Sequence, residues 1–366
     1  MIYLHLITSG YQLKILFVFP YPVGQAASQR FRFEQYLNLL DSKNIEYCLS
    51  PYLDEKSWSI FYKKGFLFLK VIGLFKGMLR RIKSLIEIRN YDFVFIHRES
   101  LPVGPAVYEF LIARVFRKKI IFDFDDAIWI SNSSESNRFF APLKWHSNVF
   151  SICKLSYKVS VGNDYLKNTA LLYNKRVFIN PTTIDTENVH NQSKKNINDT
   201  KVIGWTGSHS TIKYLEPIFP ILTRLREKYD FRFMVISDEP PNFNNGEFEF
   251  IRWNKKSEIN DLLKFDIGIM PLTKDPWSEG KCGFKALQYM SLGVPALVSP
   301  VGVNESIVDH GINGFVCKTD QDWIRHLTEL LEDSSLLVKM GKEARIKIER
   351  QYSVKSNEVN FLHLLT

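Results

Sequence analysis

A short stretch in the second half of the chain brings together residue types that can hold a phosphate group. Residues 266–272 form an apolar run typical of a buried strand, and a polar loop with Glu279, Gly280 and Lys281 follows. Gly283 then opens a segment with helical spacing. The free N–H groups of a helix N-terminus carry partial positive charge and attract anions. The stretch therefore predicts a phosphate or diphosphate site beyond the carboxyl end of a parallel strand.

The elements that must position this site follow from the rest of the pattern. Apolar runs such as residues 14–20 and 119–123 alternate with helical segments, which predicts an α/β protein with parallel sheets. The polar stretch 186–200 has no periodicity, and the alternation restarts after it. The 366 residues, 45% of them hydrophobic, suffice for two cores. We expect an N-terminal domain over 1–185, a linker over 186–200, a C-terminal domain over 201–352 and a last helix over 353–366.

The stretch 266–315 resembles the donor-binding segment of the retaining GT-B glycosyltransferases (glycosyl transferases group 1, family 4-like). The resemblance is strongest there and over residues 201–215, and it covers nearly the whole chain. It implies the GT-B fold, with two facing Rossmann-like domains, parallel sheets and a C-terminal helix that crosses back to the first domain. It also implies an enzyme, a hexosyltransferase that takes its sugar from a nucleotide diphosphate.

The donor motif of that family has two glutamates separated by seven residues. In this sequence the second position is Gln288, and the first falls on Gly280 with Glu279 beside it. Gln288 can hydrogen-bond a hydroxyl but carries no charge. The resemblance implies that Glu279 contacts the transferred sugar, while Lys281 and Lys285 bring positive charge to the same turn.

The family also places a basic pair after the first strand of the C-terminal domain, where it neutralises the diphosphate. Lys213 matches the second member, and no arginine takes the first place, where Ser208 and His209 stand. Backbone N–H groups near Gly207 and the Ser208 hydroxyl can bind phosphate without a full charge. Glu305 matches a family glutamate near the nucleotide, and a charge that favours a helix dipole explains it equally well.

Three positions of the N-terminal half complete the candidate site. His97 ends an apolar run and matches a family histidine that contacts the sugar from the acceptor side, while Gly24 matches the loop that closes over the donor. Asp126, with Asp123 and Asp125, follows the next strand; it is a candidate base, or a helix cap instead. The resemblance implies neither a catalytic metal nor a cofactor besides the donor, and no second cluster of metal ligands accompanies these carboxylates.

Charge and cysteine content restrict the partners. The net charge is +9, but no nucleic-acid-binding signature occurs, so anionic lipid or a diphosphate substrate explains the excess better. The four cysteines form no CxxC pair and no cluster with histidine; they are Cys48, Cys153, Cys282 and Cys317. This spacing indicates neither a disulfide framework nor a zinc site, and it fits a protein of the reducing cytoplasm. No apolar run is long enough to predict a transmembrane helix.

Residues 62–87 combine an apolar stripe with seven lysines and arginines that precede the only acid of the segment, Glu87. Two interpretations stay open. The segment is an ordinary amphipathic helix that covers a sheet, or its basic face rests on anionic lipid at the inner surface of the cell membrane. The second interpretation predicts a cytoplasmic protein with peripheral membrane association.

The resemblance carried by these residues implies a glycosyltransferase that moves a hexose from a UDP- or GDP-sugar to a glycan or lipid-linked acceptor. Retention of configuration and a place in surface polysaccharide or glycolipid biosynthesis are implied by the resemblance. Two alternatives remain: a nucleotide-sugar epimerase of the same fold, and a non-catalytic partner protein that binds a sugar nucleotide. The altered glutamate motif and the missing arginine favour the latter alternative.

Overall fold

The computed structural model describes residues 12–61, 63, 65–130, 145–243 and 247–366. The chain divides into two compact units, of which the second is Thr182–Asn357 and the first comprises the residues before it together with Glu358–Thr366. The segment 186–200 lies within the second unit. There Arg345 donates hydrogen bonds to the carbonyl oxygens of Thr186 and His190, at 3.1 and 2.6 Å, and Lys194 Nζ pairs with the buried Asp266 at 2.9 Å.

The first unit is built on a parallel sheet with the strand order β2-β1-β3-β4-β5-β6. Its central strands are almost entirely buried because their sequences are unbroken apolar runs, and helices therefore cover both faces. The strand bounds are β1 Lys14–Phe19, β2 Glu46–Pro51, β3 Phe93–His97, β4 Lys119–Phe124, β5 Lys158–Val161 and β6 Val177–Ile179.

The helices of the first unit include one contributed by the end of the chain. Tyr36 and Phe361 stack with ring centroids 4.1 Å apart, and Asn360 Nδ2 donates to Ile179 O at 3.0 Å, so Glu358–Thr366 packs on this unit. The α-helices are α1 Ala27–Arg32, α2 Leu37–Ser42, α3 Glu55–Phe61, α4 Leu67–Glu87, α5 Val107–Phe110, α6 Asn148–Leu155, α7 Asp164–Leu171 and, after the second unit, Glu358–His363. Shorter 3-10 or π turns are Glu34–Tyr36, Ile88–Asn90 and Leu111–Val115.

The second unit has its own parallel sheet, ordered β12-β11-β10-β7-β8-β9. Its core gathers the side chains of Trp205, Phe233, Ile269, Leu297 and Leu327 among others. The strands are β7 Lys201–Gly207, β8 Phe231–Ser237, β9 Glu249–Arg252, β10 Ile267–Met270, β11 Ala296–Val298 and β12 Gly314–Val316. The two parallel α/β units agree with the fold predicted from the sequence.

The helices of the second unit include one that changes type along its length. The segment after β7 begins as a 3-10 helix, His209–Ile218, and becomes α-helical only after Pro217, which has no N–H to donate. The α-helices are α8 Phe219–Arg226, α9 Glu258–Leu262, α10 Pro276–Glu279, α11 Phe284–Ser291, α12 Asn304–Ile307, α13 Asp320–Glu332 and α14 Ser334–Lys347. A π turn, Ile348–Tyr352, and a 3-10 turn, Lys355–Asn357, follow.

Helix α4 presents its basic residues differently from the basic face expected over 62–87. Lys70 and Arg81 are buried, and Arg80 pairs with Asp54 at 2.6 Å, while Tyr62 and Lys64 lie outside the described residues. Arg81 donates to the carbonyl oxygens of Phe19, Ser50 and Ser100 at 3.0, 2.9 and 2.8 Å. Burial lowers the pKa of Arg81 to about 10, so the buried guanidinium remains charged at neutral pH. Of the helices in the described ranges, none combines the length and apolar character needed to cross a membrane.

Candidate functional site

The loop after β10 is fixed by a single capped turn of helix. The Asp275 side chain accepts a hydrogen bond from Ser278 N at 2.8 Å, and Pro276 takes the first helical position of α10. Ser278 Oγ donates in turn to Tyr214 Oη at 3.2 Å. Tyr214 belongs to the segment after β7, which neighbours β10 in the sheet. The loops that follow these two strands therefore meet at the carboxyl edge of the second sheet.

Glu279 ends this turn and is half-buried. Its carboxylate accepts a hydrogen bond from Gly302 N at 3.1 Å, in the loop between β11 and α12. A Cβ on Gly302 would lie 3.1–3.3 Å from the carbonyl oxygens of Ser278, Glu279 and Lys281, so the two loops are packed closely. The Gly302 N–H thus helps to hold the Glu279 carboxylate at the sheet edge.

Gly283 starts α11 in a conformation that requires glycine. Its φ is +66°, and a Cβ at this position would lie 2.1 Å from Cδ1 of the buried Ile307. Gly283, at the N-cap position, has no side chain of its own to cap the first N–H groups of α11. These groups carry the partial positive charge of a helix N-terminus, beside the buried Gly280 and the preceding loop.

Three lysines stand over aromatic rings at the same edge. The Nζ atoms of Lys213 and Lys281 lie 5.4 and 5.8 Å from the centroid of one ring, that of Tyr214. Lys285 Nζ lies 5.5 Å from the Trp205 ring centroid. Cation–π attraction favours these positions without neutralising the charge. The loops after β7 and β10 therefore concentrate positive charge where an anionic group would be attracted.

The end of β7 carries two further predicted residues. Gly207 ends the strand, and Ser208 N donates to Thr211 Oγ1 at 3.2 Å in the first turn of the following 3-10 helix. His209, at the place of the missing basic residue, donates from its backbone N to Asp238 and contacts the same carboxylate through Nδ1, both at 2.6 Å. The Asp238 carboxylate offsets any positive charge on His209, so this position adds none to the edge.

Gln288 and Glu305 have different surroundings from one another. Gln288 is buried on α11, and its Nε2 donates to Glu258 Oε1 at 3.4 Å; Glu258 also accepts from Trp253 Nε1 at 3.0 Å. Glu305 is exposed in the first turn of α12, where a negative charge favours the helix dipole. The uncharged Gln288 thus lies next to a carboxylate from another helix.

In the first unit, a buried polar network joins four elements at the carboxyl ends of the strands. Asp123 accepts hydrogen bonds from His97 Nδ1 at 2.8 Å and from Ser160 Oγ at 2.6 Å. Arg32 forms a two-point ion pair with the same carboxylate and donates to Asn180 O. The side chains of Arg32, His97 and Asp123 are wholly inaccessible to solvent.

The charges in this network determine which His97 nitrogen carries a proton. Burial opposes ionisation of Asp123, but the charge of Arg32 and the hydrogen bonds from His97 and Arg32 outweigh it and keep the pKa of Asp123 well below its usual range. The ionised carboxylate accepts from Nδ1, which therefore carries a proton. His97 Nε2 is buried and has no hydrogen-bond partner in the described part of the chain. In the neutral imidazole this atom is an acceptor.

Asp125 and Asp126 are engaged by Arg98. Arg98 Nη2 contacts Asp125 Oδ1 at 2.8 Å and also donates to Asp126. Burial disfavours charge on Asp125, but Arg98 and then His97 and Arg32 lower the pKa of this carboxyl overall. Asp126 is thus held as half of an ion pair. Of the residues that the structure describes, no three histidine, cysteine or acidic side chains are grouped as a metal site requires.

Gly24 lies in the loop after β1 with a φ of +77°. Its N–H donates to Glu34 Oε2 at 2.8 Å. The buried Gln29 braces the same loop, because its amide bonds both N and O of Tyr21, at 2.9 and 3.0 Å. The loop therefore has a defined conformation built by its own side chains.

Several residues of these networks were not found by sequence reasoning. Asp238 contacts His209, Glu258 contacts Gln288, and Tyr214 connects two loops through Ser278. None of these three residues stands in a recognisable motif. Arg32 is 91 residues from its partner Asp123. A basic residue between two phenylalanines, Phe31 and Phe33, was the only signal for it in the sequence.

Residues 200–333 match the family model of the glycosyl transferases group 1. No curated protein sequence matches the chain. Among solved structures, sucrose-phosphate synthase from Thermosynechococcus elongatus is 12% identical with a TM-score of 0.67, covering 97% of this chain and 98% of that one. The catalytic domain of starch synthase IV from Arabidopsis thaliana, bound to ADP and acarbose, is 11% identical with a TM-score of 0.68, covering 97% and 98%.

HepE from Anabaena, in complex with UDP and glucose, is 13% identical with a TM-score of 0.61 and covers 97% of this chain and 99% of that one. Similarity over nearly the full length at such low identity concerns the fold. The chain therefore has a GT-B fold made of two Rossmann-like α/β units. Together with the family match over residues 200–333, this fold supports a glycosyltransferase enzyme.

Proposed function

We propose that this protein transfers a hexose from a UDP- or GDP-sugar to a glycan or lipid-linked acceptor, with retention of the anomeric configuration. The observation that carries the proposal is the positive edge of the second sheet. Lys213, Lys281 and Lys285 stand over aromatic rings there, close in sequence or through Tyr214 to the N-terminus of α11, inside the residues that match the family model. A nucleotide diphosphate is the leaving group for which such an edge is suited.

The proposed chemistry is electrostatic stabilisation of the departing diphosphate. As the bond between the sugar and the phosphate oxygen breaks, negative charge grows on that oxygen, and donors already in place lower the barrier. The acceptor hydroxyl attacks from the face that the phosphate leaves, and a phosphate oxygen takes its proton. The reaction then needs no protein nucleophile, and the nucleotide sugar is the donor substrate without a separate cofactor, because the lysines and N–H groups supply the positive charge.

The other predicted residues take the following proposed roles. Glu279 contacts the transferred sugar, and Gly207 and Ser208 present N–H and hydroxyl groups to phosphate. Gln288 and Glu305 are assigned to the nucleotide side, where Gln288 Nε2 would exchange its long contact with Glu258 for a hydroxyl. On the acceptor side we assign His97, through its unpartnered Nε2, together with Asp126 and the Gly24 loop.

The solved relatives support the donor class. HepE is seen with UDP and glucose, and starch synthase IV with ADP, so a nucleoside diphosphate fits proteins of this fold. For the acceptor we propose a lipid-linked sugar or growing glycan of surface polysaccharide or glycolipid assembly, used at the inner face of the cell membrane. The net charge of +9 is consistent with both anionic partners.

Donor screening followed by turnover tests the proposal. UDP, GDP and their sugars should raise the melting temperature, because a ligand that binds only the folded state stabilises it. Lys281→Ala should weaken this shift, whereas Lys228→Ala, which changes an exposed lysine before β8 at the opposite edge of the sheet, should not. Product linked to an acceptor, formed equally well with a chelator present, is the expected result. Epimerised sugar nucleotide without acceptor, or binding without any turnover, would instead establish one of the two alternatives.

A further inference from the structure

Helix α4 exposes an apolar surface that none of the described residues of the first unit covers. Its outward side carries Phe68 and Ile86, each 77% exposed, and Phe75 at 64%, with Val71, Met78, Leu79 and Ile82 between them. We refer to these seven side chains as the α4 face. Soluble proteins rarely expose a contiguous apolar patch above roughly a few hundred Å², and larger patches mark interaction surfaces.

The orientation of the helix is fixed by its opposite side. Lys70, Gly73, Gly77, Arg81 and Ser84 recur at helical spacing and are all buried. A Cβ on Gly77 would lie 2.4 Å from the Tyr52 ring, and Ser84 Oγ bonds Tyr108 Oη at 2.7 Å. Small and hydrogen-bonded residues therefore pack inward, and the apolar side chains cannot turn toward the core without breaking these contacts.

The charges beside the α4 face indicate what covers it. Lys76 and Lys83 are exposed along one flank, and residues 67–86 contain no aspartate or glutamate. Lys83 lies 3.8 Å from Glu87, the acid that ends the helix. A second copy of this helix would bring like charges together and offer only this terminal acid to pair with them. An anionic lipid surface complements the flank and the apolar face simultaneously.

We propose that α4 docks on an anionic bilayer, lying in the plane of the interface with the α4 face in the acyl boundary and Lys76 and Lys83 at the level of the lipid phosphates. The attachment is chiefly apolar, and the basic residues contribute less than the sequence led us to expect, because Lys70 and Arg81 are buried and Arg80 pairs with Asp54. The docking does not depend on the proposed transfer reaction, since it uses no residue at the positive edge of the second sheet.

Co-sedimentation with phosphatidylcholine vesicles, with and without phosphatidylglycerol, tests the apolar contribution. Phe75→Ser combined with Ile82→Ser should weaken binding to anionic vesicles at least about tenfold, because the variant lacks two large apolar side chains that docking would transfer from water into the bilayer. The matched control is Leu172→Ser combined with Val359→Ser, which removes two apolar side chains of comparable exposure elsewhere on the same unit. This control should bind as the wild type does.

The charge contribution is tested by Lys76→Gln with Lys83→Gln, against Lys255→Gln with Lys256→Gln as the control. The first pair should reduce the preference for anionic lipid, and binding of the wild type should weaken but persist as salt rises.

The inference is wrong if the wild type does not bind anionic vesicles at low salt, or if the two apolar double variants bind equally well. It is also wrong if the wild type is a dimer in solution that Phe75→Ser with Ile82→Ser converts to a monomer without any lipid binding. Nucleotide-induced thermal shifts, measured in parallel, report on the proposed function separately.

Discussion

Replacing Asp123 by asparagine is the sharpest test of the buried network in the first unit. The carboxylate is wholly buried and receives two sets of donors. Oδ1 accepts from Ser160 at 2.6 Å and from Arg32, and Oδ2 accepts from His97 Nδ1 at 2.8 Å and from Arg32 Nε at 3.2 Å. Asparagine keeps the shape but has only one oxygen, so its NH₂ group must face donors on one side.

The expected loss follows from the charge left behind. Asp123→Asn leaves the Arg32 guanidinium buried without its counter-ion, and removal of one partner of a buried ion pair costs about 3–5 kcal/mol. With global stabilities of about 5–15 kcal/mol, the first unit would lose a large share of its free energy of unfolding. Arg32→Met should be similarly costly alone. The double variant should lose at least about 1 kcal/mol less than the sum, because it leaves no uncompensated charge.

Hydrogen exchange of the native protein is the appropriate assay because it assigns stability to segments. Peptides from β3, β4 and β5 should lose protection in Asp123→Asn, whereas those from β7 and β10 should not. A loss below about 1 kcal/mol, or strict additivity with Arg32→Met, would refute the view that this pair is an energetically coupled buried unit.

The same pair predicts a pH dependence. The folded-state pKa of Asp123 is lowered, so its contribution is fully present above the unfolded-state pKa of about 4 and is lost as pH falls through the folded value. The difference in stability between the wild type and Asp123→Asn should therefore be constant near neutral pH and shrink below about pH 4. A difference that vanished between pH 6 and 8 would point to histidine instead.

Three further predictions concern the positive edge of the second sheet. Lys213→Ala should weaken UDP or GDP binding up to about tenfold, measured by calorimetry, since one charge-assisted contact is lost; unchanged affinity for every nucleotide removes Lys213 from the site. Glu279→Ala should lower turnover more than nucleotide affinity, and an equal loss of both would indicate a structural role through Gly302. Gly283→Ala should destabilise the second unit by about 1–3 kcal/mol in denaturant unfolding, because a Cβ would meet Ile307 and φ is positive; a neutral effect would contradict the strain argument.

Much of the fold could be predicted because it depends on local patterns. The apolar runs predicted over 14–20 and 119–123 become β1 and β4, and each prediction differs from the observed strand by one residue at its C-terminal end. The start of α11 was marked by Gly283, whose positive φ only glycine adopts readily. The three-residue β12 and the one-turn α10 were missed, because so few residues show no periodicity.

The long-range polar contacts were not predictable in the same way. The sequence marks Asp123 as the end of a strand but contains nothing that pairs it with Arg32, which reaches it only because the two elements pack together. The same holds for Gln288 and Glu258, and for His209 and Asp238. Motif reasoning therefore predicted residues for a donor site at the edge of the second sheet but not the acids that contact some of those residues.

Helix α4 shows why an amphipathic pattern alone does not determine which side is buried. The pattern separates apolar residues from Lys70, Arg81 and the small residues Gly73 and Gly77, and the usual expectation turns the apolar side inward. Here the glycines allow the helix to approach Tyr52 and Ser57, and the carbonyl oxygens of Phe19, Ser50 and Ser100 satisfy the guanidinium of Arg81. Once the polar side has such partners, burying it costs less than burying unpaired polar groups would, and the apolar side remains outward.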